Sequence, residues 1–97
     1  MSTPLVVVAR ILAKPDQEKA LLTELLKLLA ESRKEAGCIR YDLHQDNENP
    51  SKFLFYEIWE SKSLWMAHMA TAHLAAFKQV ATSLMADLQV DQMSKIA

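Results

Sequence analysis

"FLFYEIW" (Phe53–Trp59) alternates as a β-strand does, yet neither of its faces is polar. Successive strand side chains point to opposite sides, so one face carries Phe53, Phe55, Glu57 and Trp59 and the other Leu54, Tyr56 and Ile58. An antiparallel strand with one solvated face should alternate apolar with polar residues. This strand therefore calls for cover on both sides. Just before it, "CIRYDLH" (Cys38–His44) sets Ile39, Tyr41 and Leu43 against Arg40, Asp42 and His44. The polar loop "QDNENPSK" joins the two runs as an antiparallel hairpin with a long connection.

Working outward, "LVVVARILA" (Leu5–Ala13) is rich in β-branched residues and reads as a first strand, stopped by Pro15. Its faces, Leu5, Val7, Ala9 and Ile11 against Val6, Val8 and Leu12, are again both apolar. Asp16 is placed to cap a helix from Gln17, whose stripe runs through Leu21, Leu22, Leu25, Leu26, Leu28 and Leu29. The sole glycine, Gly37, is where that helix is expected to end, since positive φ costs glycine least. Ser61 or Ser63 can cap a second helical region beginning "LWMAHMA", and Leu88 to Ile96 alternates as a fourth strand.

The order β-α-β-β-α-β predicts an α+β, ferredoxin-like domain over residues 1–97. Both helices then cover one face of a four-stranded antiparallel sheet and leave the other bare. No further element remains to cover it. The expected solution is a homodimer with the two sheets face to face, a dimeric α+β barrel.

Half of the chain, 51%, is apolar, enough for one core in 97 residues. With 11 basic and 12 acidic side chains the formal charge is −1, and no Lys/Arg cluster could track a phosphate backbone, so no nucleic-acid partner is expected. "MSTPLVVVARIL" lacks a basic n-region, is interrupted by Arg10 and has no cleavage site, and no apolar run approaches the roughly 20 residues of a membrane span. A single cysteine, Cys38, makes no internal disulfide and reads as structural; it suits a cytoplasmic location. One glycine excludes a glycine-rich nucleotide loop.

Chemistry concentrates in "HMATAHLAAF" (His68–Phe77). Through one straight helix, five steps of about 100° would put His68 and His73 about 140° apart. Thr71, however, is a strong N-cap, and behind it a new stripe runs through Leu74, Phe77, Ala81 and Leu84. A break at Thr71 places His68 in the last turn of one helix and His73 in the first turn of the next, where a bend can turn both imidazoles toward one cavity. Each could equally be an ordinary half-buried histidine. Helical metal ligands favour spacings that share a face, and no third Cys, His or carboxylate lies nearby in sequence, so no metal site is expected. His44, beside the polar loop, reads as solvated.

Residues Glu35–Phe77, "EAGCIRYDLHQDNENPSKFLFYEIWESKSLWMAHMATAHLAAF", resemble the antibiotic biosynthesis monooxygenase family, particularly its short stand-alone bacterial members described as quinol monooxygenases. Gly37, Cys38, Tyr41, Phe53, Tyr56, Glu57, Trp59, His68, Thr71 and His73 carry the match. The resemblance implies a ferredoxin-like dimer with a pocket between the sheet and helices of each subunit, and oxidation of electron-rich hydroxylated aromatics by O2 with no flavin, metal or other cofactor. A deprotonated quinol is itself reducing enough to pass an electron to oxygen, so the protein need supply only a base, a shaped cavity and hydrogen bonds.

On that resemblance His68 or His73 is the base or orienting group, since histidine titrates near neutrality. Glu57, costly to bury unpaired, either holds a histidine's tautomer or stays protonated. Tyr41, Phe55 and Trp59 would line the pocket or pack as core, and Trp65, Met66 and Met69 fit either role. A small apolar or aromatic ligand is the expected partner. Two departures matter: Ala72 stands where many relatives have proline, and the first strand lacks the asparagine of the haem-degrading branch, which disfavours haem degradation. An isomerase acting on a phosphorylated sugar derivative would need Arg10 or Arg40 turned toward the helices. A non-catalytic dimer holding an apolar ligand is the remaining alternative.

Overall fold

A computed structural model describes residues 3–97; Met1 and Ser2, part of the expected domain, lie outside the described residues. Strands β1 (Leu5–Ala13), β2 (Cys38–Gln45), β3 (Lys52–Trp59) and β4 (Met85–Met93) alternate with helices α1 (Glu18–Ser32), α2 (Lys62–Met69) and α3 (Ala72–Ala81). They form one antiparallel sheet in the order β2-β3-β1-β4. This is the expected ferredoxin-like topology, with the second helix divided in two.

The register sorts every strand onto two faces. Val7 pairs with Glu57, Ala9 with Phe55 and Ile11 with Phe53, and these side chains are buried together with Leu21, Leu25 and Leu28 of α1 and Leu74 and Ala81 of α3. Opposite lie Val6, Val8 and Leu12 of β1 and Leu54, Tyr56 and Ile58 of β3, all half-buried, with no second layer over them among the described residues. Burying a large apolar side chain is worth about 1.5–3 kcal/mol. The helix-side core thus holds the fold, while the bare face keeps an unspent driving force.

Four boundaries depart from the sequence reading. Asp16 does not cap α1, because its φ of 66° puts it in the left-handed region of the turn after Pro15, a conformation that Asp tolerates better than most. Gln17 takes the cap position and makes no side-chain cap bond. Helix α1 stops at Ser32, and residues 33–37 form turns in which the Glu35 N–H donates to the Ser32 carbonyl and the Cys38 N–H to that of Glu35. Gly37 does have positive φ, 85°, but opens β2 rather than capping α1.

In β2 a register shift between Cys38 and Arg40 throws Ile39 outward, leaving it 56% exposed where alternation had placed it inside. The last strand begins at Met85, not Leu88, and ends at Met93, whose pairing with Val6 is the last between β4 and β1 among the described residues. A short 3-10 turn, Thr82–Leu84, delivers the chain there, and its Leu84 carbonyl accepts from the Lys14 N–H. Ile96 is consequently 97% exposed.

Candidate functional site

The break between α2 and α3 builds the site. Ser61 caps α2, its hydroxyl accepting from the Leu64 N–H at 3.2 Å, while Ser63 reaches only the Ser61 hydroxyl. Thr71 caps α3, accepting from the Leu74 N–H at 3.3 Å and donating to the His68 carbonyl at 2.8 Å. One threonine thus starts the new helix and ties it to the end of the old one. His68 sits in the last turn of α2 and His73 in the first of α3, with ring centroids 6.2 Å apart.

What brings the rings together is a third residue that proximity along the chain did not indicate. Glu35, in the turn after α1, lays one carboxylate oxygen, Oε2, 2.6 Å from His68 Nδ1 and 2.7 Å from His73 Nε2. A carboxylate oxygen only accepts, so both nitrogens donate. The tautomers follow: neutral His68 carries its lone pair on Nε2, and neutral His73 on Nδ1. Glu35 begins the stretch that resembles the family but is not among the residues that carry the match, and its donors stand 33 and 38 positions away. Glu35, His68 and His73 place one donor atom each within 4.8 Å of one another, so a third potential donor, not near the histidines in sequence, reaches them from the turn after α1.

Gly37 makes this turn possible. Its positive φ and its approach to α2 both exclude a side chain, for a Cβ there would lie 2.5 Å from Leu64 Cδ1. Burial then sets the electrostatics. His68 is buried, and loss of hydration pushes its pKa below the ordinary value despite the Glu35 hydrogen bond. Its ring packs 4.7 Å from Trp59 and 5.6 Å from Tyr41. His73 is the accessible partner, its side chain 25% exposed.

Glu57 does not hold a histidine. It is buried on the helix-facing side of β3 and accepts from Trp59 Nε1 at 2.9 Å. Burial, with Glu35 adding a smaller repulsion, raises its pKa to about 7. Tyr41, Phe55 and Trp59 pack as core, with rings in contact, and burial drives the Tyr41 phenol far above its ordinary range. Trp65 is half-buried against that core, one helical turn before His68 on α2, while Met69 and Met66 are exposed. Burial raises the Cys38 thiol to about 11, so it is protonated and unreactive at neutral pH. His44 is exposed, as expected.

Neither arginine considered for an anionic substrate faces the helices. Arg10 pairs with Asp91 at 2.6 Å and Arg40 with Asp42 at 3.3 Å, both on the bare side of the sheet. A hollow of about 800 Å³ opens on that side, lined by Arg10, Leu12, His44, Lys52, Leu54 and Tyr56 among others. It is separate from the histidine pair. Among the described residues no helix is long and apolar enough to cross a membrane.

Comparison with known proteins places the chain in a family. The chain is 30% identical to protein sll1783 of Synechocystis sp. over 97% of its own length, spanning 64% of that protein. It is 32% identical to "Putative monooxygenase YcnE" of Bacillus subtilis over 75% of its length and 77% of the relative's. Among solved structures, PA3566 from Pseudomonas aeruginosa superposes with a TM-score of 0.95 at 39% identity, covering 100% of this chain and 98% of that one. The family description "Antibiotic biosynthesis monooxygenase" matches residues 4–80, and to that family the chain belongs.

Proposed function

We propose that the protein is a monooxygenase that oxidises a small electron-rich hydroxylated aromatic, of quinol type, with O2 and with no resident flavin or metal. Membership of the family supports the reaction class. The observation that carries the reading is the single Glu35 oxygen held by both imidazoles, because it leaves each histidine with one defined lone pair turned away from the carboxylate. A base needs that lone pair before it needs anything else.

The chemistry then balances with the substrate as sole reductant. The imidazole takes the phenolic proton, and the phenolate passes an electron to O2. The resulting radical and superoxide combine at a ring carbon bearing hydrogen, and loss of water leaves a carbonyl. One oxygen atom stays on the ring and the other leaves as water, with all four electrons drawn from the substrate. Trp65 lies one helical turn from His68, and the buried Tyr41 and Trp59, backed by Phe55 and Glu57, hold the floor on which the His68 ring rests. His73 is the more accessible base and His68 the more rigidly held.

Two further parts belong to this reading. The protein works as a homodimer joined through the bare sheet faces, and its setting is cytoplasmic, in keeping with one unpaired cysteine. Oxygen uptake with a panel of quinols and naphthols tests the reaction. At least one member should consume O2, and His73→Ala and His68→Gln should each lower kcat by about 100-fold or more. Wild-type turnover by both variants would overturn the assignment of the base.

A further inference from the structure

The same trio has a second capacity that proton transfer does not use. We propose that Glu35, His68 and His73 bind one divalent ion of the zinc class, and that the ion converts the outward nitrogen of His68 from acceptor to donor. The first half rests on geometry alone; the second bears on the monooxygenase reading, because it removes the base.

Two imidazole nitrogens and one carboxylate oxygen, converging from the turn after α1, the end of α2 and the start of α3, form the donor set of open zinc sites. The nitrogen and oxygen donors, with no thiolate among them, favour a borderline ion over a soft one. Their surroundings are dry on one side and open on the other, with side-chain exposures of 3% for His68, 13% for Glu35 and 25% for His73. An ion therefore enters past His73 and keeps water or a ligand on that side. Donors sharing one ion sit roughly 3.0–3.4 Å apart, given zinc–ligand distances of about 2.0–2.1 Å. The present 2.6 and 2.7 Å hydrogen bonds must open by about half an ångström. The half-buried His73, on the first turn of α3, is free to supply that movement.

The consequence for His68 is a matter of proton count. In the ion-free protein Nδ1 bears hydrogen toward Glu35 and Nε2 holds the lone pair. An ion on Nδ1 takes the lone pair there, and a neutral imidazole keeps one proton, which must then sit on Nε2. No proton is gained or lost; its position changes. Ion and base thus exclude one another, and zinc acts as an inhibitor of the reaction proposed above.

The test uses the full chain stripped of metal with chelator. Titration with zinc chloride in a calorimeter should show one ion per chain, and cobalt(II) should develop the visible absorption of a low-coordinate His/carboxylate site. Glu35→Gln and His73→Ala should each weaken binding at least 10-fold, with His44→Ala unchanged as the surface control. No saturable binding, or binding indifferent to the two site variants, overturns the site. Nitrogen-15 NMR of the imidazoles reads the second half without any substrate: His68 Nε2 should shift from the bare to the protonated range on adding zinc. A bare Nε2 in the zinc-bound protein overturns the switch. If zinc binds as described but no quinol is oxidised by the ion-free protein, the monooxygenase reading fails and the metal site stands.

Discussion

At the scale of single residues, Glu57 is a carboxyl buried on an otherwise apolar face. It is 4% exposed between Phe55 and Trp59, with an indole N–H as its partner. Folding raises its pKa from 4.5 to about 7, so the folded state binds the proton more tightly than the unfolded chain does. The contribution of this carboxyl to stability is therefore intact below pH 4.5 and is lost as pH rises through 7. The loss should approach about 3 kcal/mol relative to Glu57→Gln, whose amide oxygen can still accept from Trp59 without titrating. Urea unfolding of both proteins at pH 5 and pH 7.5 checks this; parallel pH profiles would show that Glu57 is not the titrating group. Glu57 was conspicuous in the sequence because it broke an apolar face. Glu35 was not, because a carboxylate in a polar turn is ordinary and its two partners lie on helices far along the chain. Period and propensity report local faces, whereas this trio is made by three loops and helix ends meeting in space.

Among the elements, the divided second helix shows what was legible and why. Thr71 stood out because threonine is poor inside a helix and good at its start, and the break falls there, with φ −73° and ψ 153° at the cap. Those angles suit a residue preceding proline. Ala72 is the first helical residue and exposed, a position where proline's fixed φ fits and a helix needs no N–H. Ala72→Pro should therefore stabilise the fold by about 0.4–1 kcal/mol through a stiffer unfolded chain. Thr71→Ala should act oppositely, costing about 1 kcal/mol through loss of the cap, and it also removes the bond to the His68 carbonyl. Thermal melts of the two variants check the signs, and a destabilised Ala72→Pro would mean that the α3 start is not as described. Strand β4 was harder to delimit. Its alternation persists past Met93 into a tail that pairs with nothing among the described residues, and the pairing of Met93 with Val6 is where the ladder with β1 stops.

The whole molecule is a slab, 45 × 31 × 18 Å along its principal axes, with helices on one side of the sheet and solvent on the other. The exposed side of that sheet carries an apolar band, Val6, Val8 and Leu12 beside Leu54, Tyr56 and Ile58, with Arg10 of β1 set within it and paired to Asp91 of β4, and with Arg40 and Asp42 along β2. Edge strand β4 adds Met93, which pairs with Val6 and is 43% exposed, whereas Leu88 and Val90 pair with Ile11 and Ala9 and so lie on the helix side. A contiguous apolar surface of this kind is unusual on a soluble monomer. Its polar rim is what an interface carries, and a second copy presents the same band and the same rim, so the two-fold arrangement proposed here matches like with like. Sedimentation equilibrium at micromolar concentration should give twice the 11.0 kDa chain mass. Placing a charge at the centre of the band, Ile58→Asp, should shift the population to single chains, since an unpaired carboxylate would have to be desolvated at the contact. The helix-side core should survive, because Ile58 points away from it, and an unchanged far-ultraviolet spectrum would separate dissociation from unfolding. A wild-type mass of one chain would remove the dimer while leaving the Glu35–His68–His73 arrangement intact, since that site draws all three of its side chains from one copy.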